Sequence, residues 1–151
     1  MGQYYEEIDV GATFETRHRT VTESDIGTFT NLIGIHEPLF KDREYYEQTQ
    51  FGTLIAPGPM TFSLSAAAVL SEGLLNETVV AFLGLDSLEL TAPVARDDTI
   101  ISEVEVVDKR TTSSPSDGIV RLAVEVVNQQ RETVMTYEAT FLVERSPGAR
   151  G

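Results

Sequence analysis

The chain is predicted to fold as an α+β domain in which a curved antiparallel sheet wraps around one long helix. Three observations predict this. The stretch from Met60 to Leu75 carries no charge before Glu72 and is apolar or small all round, so as a helix it is expected to be buried on most sides. Four β-like runs follow it, at about 79–91, 99–111, 118–128 and 133–144, and alternate with period two. Polar turn residues join consecutive runs so closely that neighbours must pair antiparallel.

The elements follow in order. Residues 13–20, TFETRHRT, read as a first strand. Thr22 can cap a helix, and Asp25 stands three residues on, where its carboxylate can reach back to a free amide. That helix is expected to carry Ile26, Phe29, Leu32 and Ile33 on one side. Gly34 can end it, and Pro38 forbids its smooth continuation. A short helical stretch is expected from Asp42 to about Gln48. The Met60–Leu75 helix comes next, and its Ala and Ser residues allow a sheet to approach closely. The last strand is the clearest: Met135, Tyr137, Ala139, Phe141 and Val143 alternate with a mostly polar set, and Val120, Leu122, Val124 and Val126 repeat the pattern one strand earlier. Asp97-Asp98, the segment Ser114 to Gly118, and NQQRE at 128–132 are the turn signals. Residues 1–145 are read as the folded domain, and 146–151, rich in Gly and Pro, as a flexible tail.

Composition narrows the function. A length of 151 residues with 41% hydrophobic and 23% charged residues suits one globular domain. With no cysteine, disulfides and thiolate catalysis are excluded. The start, MGQYYEEIDVG, has acids where a signal peptide needs bases and an apolar run, and no apolar stretch is long enough to cross a bilayer. A cytoplasmic protein without a membrane partner is expected. The net charge of −13 repels phosphate backbones and argues against nucleic acid. The acidity fits either a salty cytoplasm or solvated outer strand faces. With two histidines and no cysteine, no metal-ligand spacing stands out, and no metal is expected.

Three segments, in order along the chain, resemble the MaoC-like dehydratases: FTNLIGIHEPLFKD from Phe29 to Asp42, followed by Tyr45; FGTLIAPGPM from Phe51 to Met60; and TAPVARDDTIISEVEV with the closing VEVVNQQRETVMTYEATFLVER. The resemblance implies a hot-dog fold, usually dimeric, binding an acyl-CoA in a tunnel between its sheet and a neighbouring subunit. It implies the reversible addition of water to a trans-2-enoyl thioester, with coenzyme A as part of the substrate and no other cofactor. In that chemistry an Asp and a His position and deprotonate a water, and backbone amides receive the charge that builds on the thioester oxygen.

The family motif has the form G-D-x-N-P-x-H. Here it reads Gly34-Ile35-His36-Glu37-Pro38-Leu39-Phe40. Ile35 stands at the catalytic Asp position and Phe40 at the catalytic His position, and neither transfers a proton. His36 and Glu37, inside the motif, are the candidates for a relocated acid–base pair; an imidazole is the side chain best suited to proton transfer at neutral pH. The alternative for them is a solvated loop pair. The family's Ala-His-Gly is here Ala56-Pro57-Gly58, and by this match Ala56 and Gly58 are the candidate thioester-binding residues at the helix start. Ile35, Phe40 and Phe62 are candidate acyl-tunnel residues, with core packing the alternative for each aromatic. Arg43, Arg96, Lys109 and Arg110 are the candidate cations for coenzyme A phosphates. His18, between Arg17 and Arg19, reads as a surface strand residue.

Three functions remain open. One is a hydratase or dehydratase with a rearranged site. Another is a non-catalytic subunit that binds acyl-CoA and pairs with a catalytically intact relative instead of with itself. The third is an acyl-CoA thioesterase, by fold analogy alone.

Overall fold

The structure is a computed structural model that describes residues 1–150. Its six strands are β1 (Thr13–Glu15), β2 (Arg19–Thr20), β3 (Val79–Leu90), β4 (Thr99–Thr111), β5 (Asp117–Val127) and β6 (Thr133–Glu144). Its helices are α1 (Glu23–Ile33), α2 (Pro38–Lys41), α3 (Arg43–Tyr46) and α4 (Gly58–Ser71). The strands form one antiparallel sheet in the order β1-β4-β5-β6-β3, and β2 adds a second short pairing to β4. The hairpins β4–β5 and β5–β6 are the expected products of short polar turns, but β3 and β4, also expected to pair, do not: β3 lies at the opposite edge, against β6.

The period-two alternation is realised. Val120, Leu122, Val124 and Val126 of β5 and Met135, Tyr137, Ala139, Phe141 and Val143 of β6 are buried, together with Ile100, Val104 and Val106 of β4. This inner face receives α4, whose Met60, Thr61, Ser65 and Val69 are buried against it. The Ser65 hydroxyl reaches β4 and β6 at once, lying 2.7 Å from the Ser102 hydroxyl and 2.7 Å from the Tyr137 hydroxyl. Buried hydroxyls require such partners, and these tie the helix to the middle of the sheet.

The expected first strand, 13–20, is two short strands. Continuing the β1 register would set Arg19 opposite Thr99, but it pairs with Ile100. The slip falls at Thr16, whose buried hydroxyl accepts the Ser102 amide at 2.9 Å, while the next amide, that of Arg17, turns away to Glu72. A side chain has replaced a backbone acceptor in the ladder.

α1 is capped as its sequence predicts. The Thr22 hydroxyl accepts the Asp25 amide at 3.1 Å, and Asp25 accepts the Thr22 amide at 2.9 Å. Gly34 ends the helix with φ of 82°, in the left-handed region that glycine adopts without strain. The expected apolar side is only partly buried. Ile26 is enclosed, but Leu32 is 81% and Ile33 49% exposed, and the buried position in the final turns is Thr30. The expected 42–48 helix is the shorter α3, and α2 precedes it.

α4 begins two residues earlier and ends four residues sooner than the expected 60–75 span. It is not enclosed on most sides either: Pro59, Ser63, Ala67 and Ser71 form an exposed row. The row carries no charge, and its two serines satisfy themselves, Ser63 donating to the Pro59 carbonyl and Ser71 to that of Ala67. At the other end of the chain, Ser146 donates its amide to Glu6, Pro147–Ala149 form a 3-10 turn, and Arg150 pairs with Glu144 at 3.0 Å. Gly151, the last tail residue, lies outside the described residues. No described helix is long and apolar enough to cross a membrane.

Candidate functional site

The start of α4 is built by its proline spacing. A helix leaves its first amides without intrahelical partners. Here Pro57 and Pro59 have no N–H, and the Met60 and Thr61 amides both donate to the Pro57 carbonyl, at 2.9 and 3.2 Å. Gly58 is left as the one donor of the first turn without an acceptor among the described residues. The approach to this turn is held firmly. Ala56 donates to the Val94 carbonyl at 2.8 Å, Arg96 donates to the Leu54 carbonyl at 2.9 Å, and Ile55 bridges Ala95. Ala56 is buried and its amide is engaged, so it fixes the strap that positions Gly58. The candidate thioester-binding pair therefore separates into one free donor and one support.

Packing at 58 is close as well. A β-carbon there would stand 3.2 Å from both δ carbons of Leu90, at the end of β3. One turn further along α4, Phe62 is half-buried. Its ring centroid lies 5.1 Å from that of Tyr137, edge-on, and 6.4 Å from that of Phe82, which is itself 52% exposed. Phe82 continues to Phe141 at 5.5 Å. An apolar surface thus runs from the helix start over β3 and β6, with Phe62 as its centre. Beneath it, burial pushes the Tyr137 hydroxyl up to about 12, so it remains a donor at any ordinary pH.

The degenerate motif lies in the turn between α1 and α2. Ile35 and Phe40 are half-buried, and Phe40 packs against the core. His36 and Glu37 are exposed, and neither side chain has a hydrogen-bond partner among the described residues. Glu37 is the N-cap of α2 through its backbone, without a side-chain cap. The structure brings the two residues to one loop but builds no hydrogen-bonded dyad from them.

The candidate cations also separate. Arg96 is committed to Glu23 at 3.1 Å. Lys109 lies 4.7 Å over the Tyr5 ring and donates to the Tyr5 carbonyl. Arg110 stands at the far end of β4. Arg43, at the start of α3, is raised above the usual guanidinium range by its hydrogen bond to Tyr46, and is exposed. Sequence reasoning missed Lys41, which donates to the Thr30 hydroxyl at 2.7 Å and to the Asn31 side-chain carbonyl at 2.6 Å. It also missed the Ser65–Tyr137–Ser102 cluster. The only sequence signal for that cluster was a serine at a buried helix position, and its partners stand 37 and 72 residues away.

A hollow of about 700 Å³ lies elsewhere, on the outer face of the sheet, with Glu15, Glu103, Glu105, Glu125 and Glu138 in its lining. Its carboxylates repel an anionic ligand, so it is not read as an acyl-CoA site. No group of His, Asp and Glu among the described residues is arranged to hold a metal.

Comparison with known proteins agrees with this fold. A solved structure of an Archaeoglobus monoamine oxidase regulatory protein is 35% identical, with a TM-score of 0.88 over 97% of both chains. The unliganded R-hydratase PhaJ1 of Pseudomonas aeruginosa is 29% identical, with a TM-score of 0.80 over 95% of this chain and 86% of that one. Protein MaoC of Klebsiella aerogenes is 33% identical over 110 residues, 73% of this chain, which spans only 32% of that longer protein. A Mycobacterium tuberculosis protein described as a double hotdog fold, 18% identical, superposes with a TM-score of 0.87 over 97% of this chain and 45% of its own length, and gives the fold its name. Residues 7–128 match the family model of the MaoC like domain, and the chain belongs to that family of hot-dog dehydratase domains.

Proposed function

We propose that this chain is a hydratase or dehydratase of acyl thioesters, with the thioester carbonyl bound at the start of α4. The observation that carries the reading is the single free amide of Gly58, at the positive end of a 14-residue apolar helix. Water adds across the double bond of a trans-2-enoyl thioester, its oxygen to Cβ and a proton to Cα. Negative charge passes through the thioester oxygen on the way. A donor aimed at that oxygen stabilises the transition state more than the ground state. The half-exposed Phe62 and Phe82 supply apolar surface for the acyl chain beside that donor. His36 and Glu37 are the proton-transfer candidates in this reading. Their exposure suits a pair that gains its partners only when substrate is bound.

A specific observation favours a second reading. Ile35 and Phe40, at the motif positions where acid–base residues are expected, are apolar and half-buried. They suit a subunit that binds the acyl group and leaves proton transfer to a partner. Such a partner has a place to dock. The free edge of β3 carries Val80, Phe82, Leu83, Leu88 and Leu90, all more than a third exposed, and an apolar unpaired edge strand invites a further strand. In this reading a catalytically intact relative pairs there, since a second copy would carry the same Ile35 and Phe40.

The test is hydration of crotonyl-CoA and a medium-chain enoyl-CoA by the purified chain, followed as loss of enoyl absorbance. Turnover that falls at least tenfold in His36→Ala or Glu37→Gln supports the first reading. Tight acyl-CoA binding without turnover selects the second. Release of free thiol makes the chain a thioesterase, and no binding of any acyl-CoA overturns both readings.

A further inference from the structure

α1 ends without a basic side chain in its last turn, although the carbonyl end of a helix carries partial negative charge. The cation comes instead from α2. Lys41 reaches back across the turn and donates to Thr30 and Asn31. Thr30 is a hub. It is fully buried, its carbonyl accepts the amides of both Gly34 and Ile35 at 2.9 Å, and its hydroxyl donates to the Ile26 carbonyl at 2.8 Å. With its one proton used, that hydroxyl can meet Lys41 only as an acceptor. Lys41 makes no ion pair among the described residues, in a chain with 24 acids against 11 bases. Geometry, not an opposing charge, has chosen its partners. The contact closes a ring from Thr30 to Lys41 that contains Ile35, His36, Glu37 and Phe40.

We infer that Lys41 is a positioning residue, a latch that holds the Gly34–Phe40 segment against α1 and so sets where the motif residues stand relative to the thioester site. An ammonium with two acceptors in fixed positions removes freedom from the turn at both of its ends. Arginine carries the same charge and can reach the same oxygens, whereas methionine fills the space with neither charge nor donor. Any effect on turnover rests on the hydratase reading; the effect on backbone opening does not.

Hydrogen exchange of the Gly34 and Ile35 amides should be followed on the full chain in wild type, Lys41→Met and Lys41→Arg. Lys41→Met is expected to speed both amides roughly tenfold and leave those of Ser65 and Val69 in α4 unchanged, as local opening of one unit requires. Lys41→Arg should restore most of the protection. On enoyl-CoA, Lys41→Met is expected to lower kcat at least fivefold with KM within about twofold, and Lys41→Arg to recover it. Asn31→Ala, which removes one exposed acceptor, should show the same effects at smaller size. Wild-type exchange in Lys41→Met would overturn the latch. Faster exchange with unchanged kcat would overturn the positioning role. Faster exchange in a chain whose wild type never turns over enoyl-CoA would leave the latch standing and remove the hydratase reading instead.

Discussion

Two residues matter most around the proposed thioester site. Gly58 combines a free amide with a position where a methyl group meets Leu90 at 3.2 Å. Leu90 is 53% exposed and its δ carbons can move aside, and alanine suits a helix, so Gly58→Ala should keep stability within about 1 kcal/mol of wild type. Acyl-CoA affinity, measured by calorimetry, should fall at least tenfold, about 1.4 kcal/mol, because the new methyl crowds the one first-turn amide of α4 left without an acceptor among the described residues. Unchanged affinity would remove Gly58 from the site. Tyr137 is the other. Tyr137→Phe leaves the buried Ser65 hydroxyl with Ser102 as its one remaining partner and is expected to cost about 1–2 kcal/mol. The pH dependence has a definite sign. The folded tyrosine titrates near 12 and the unfolded one near its ordinary value of 10.0, so its contribution is complete below about pH 10 and is lost as pH rises toward 12. The difference in unfolding free energy between wild type and Tyr137→Phe should shrink across that window. Gly58 stands out in the sequence because it matches the glycine of the family's Ala-His-Gly. Tyr137 was legible only as one apolar position in an alternating strand. Its hydroxyl acquires meaning from Ser65 and Ser102, which no local pattern connects to it.

At the scale of elements, what the sequence specifies locally was legible and what tertiary contacts arbitrate was not. The cap of α1, its glycine stop and the four long strands depend on neighbours within a few residues, and they were readable to within two residues at the strand ends. The split of the first strand depends on Thr16 meeting Ser102, 86 residues away. The exposure of Leu32 and Ile33 has a similar origin. Helical spacing places them near Ile26, but α1 turns its Thr30 inward to bind the motif turn, and the last apolar residues face outward. The α1 start offers a check that is independent of function. Thr22→Ala removes the acceptor of the Asp25 amide and is expected to cost about 1 kcal/mol in denaturant unfolding, with no change in acyl-CoA affinity. A larger affinity loss than stability loss would show that α1 does more than carry the motif turn.

For the molecule as a whole, the structure shows where the acidity resides. Along the outer face of the sheet, Glu15 stands opposite Glu103 and Glu103 opposite Glu125, three carboxylates in direct register across β1, β4 and β5; Asp86 stands opposite Glu138 across β3 and β6. Like charges placed directly across strands oppose pairing. Arg131 offsets the first row from the β5–β6 turn, 3.0 Å from Glu103 and 3.8 Å from Glu15, and Arg121 lies 3.7 Å from Glu138. Two guanidiniums do not balance these five carboxylates, and exposed pairs of this kind contribute little. Repulsion should therefore dominate this face at low salt and weaken as the screening length falls from about 10 Å at 0.1 M to about 3 Å at 1 M. The melting temperature of the wild type is expected to rise with KCl over that range. In Glu125→Gln, which keeps the side-chain shape and relieves the middle of the row, it should start higher and rise less. The comparison between the two proteins separates repulsion on this face from the general effect of salt, which acts on both alike. Parallel salt dependences would assign the benefit of the acidic surface to solubility and leave the outer carboxylates as ordinary solvated strand residues.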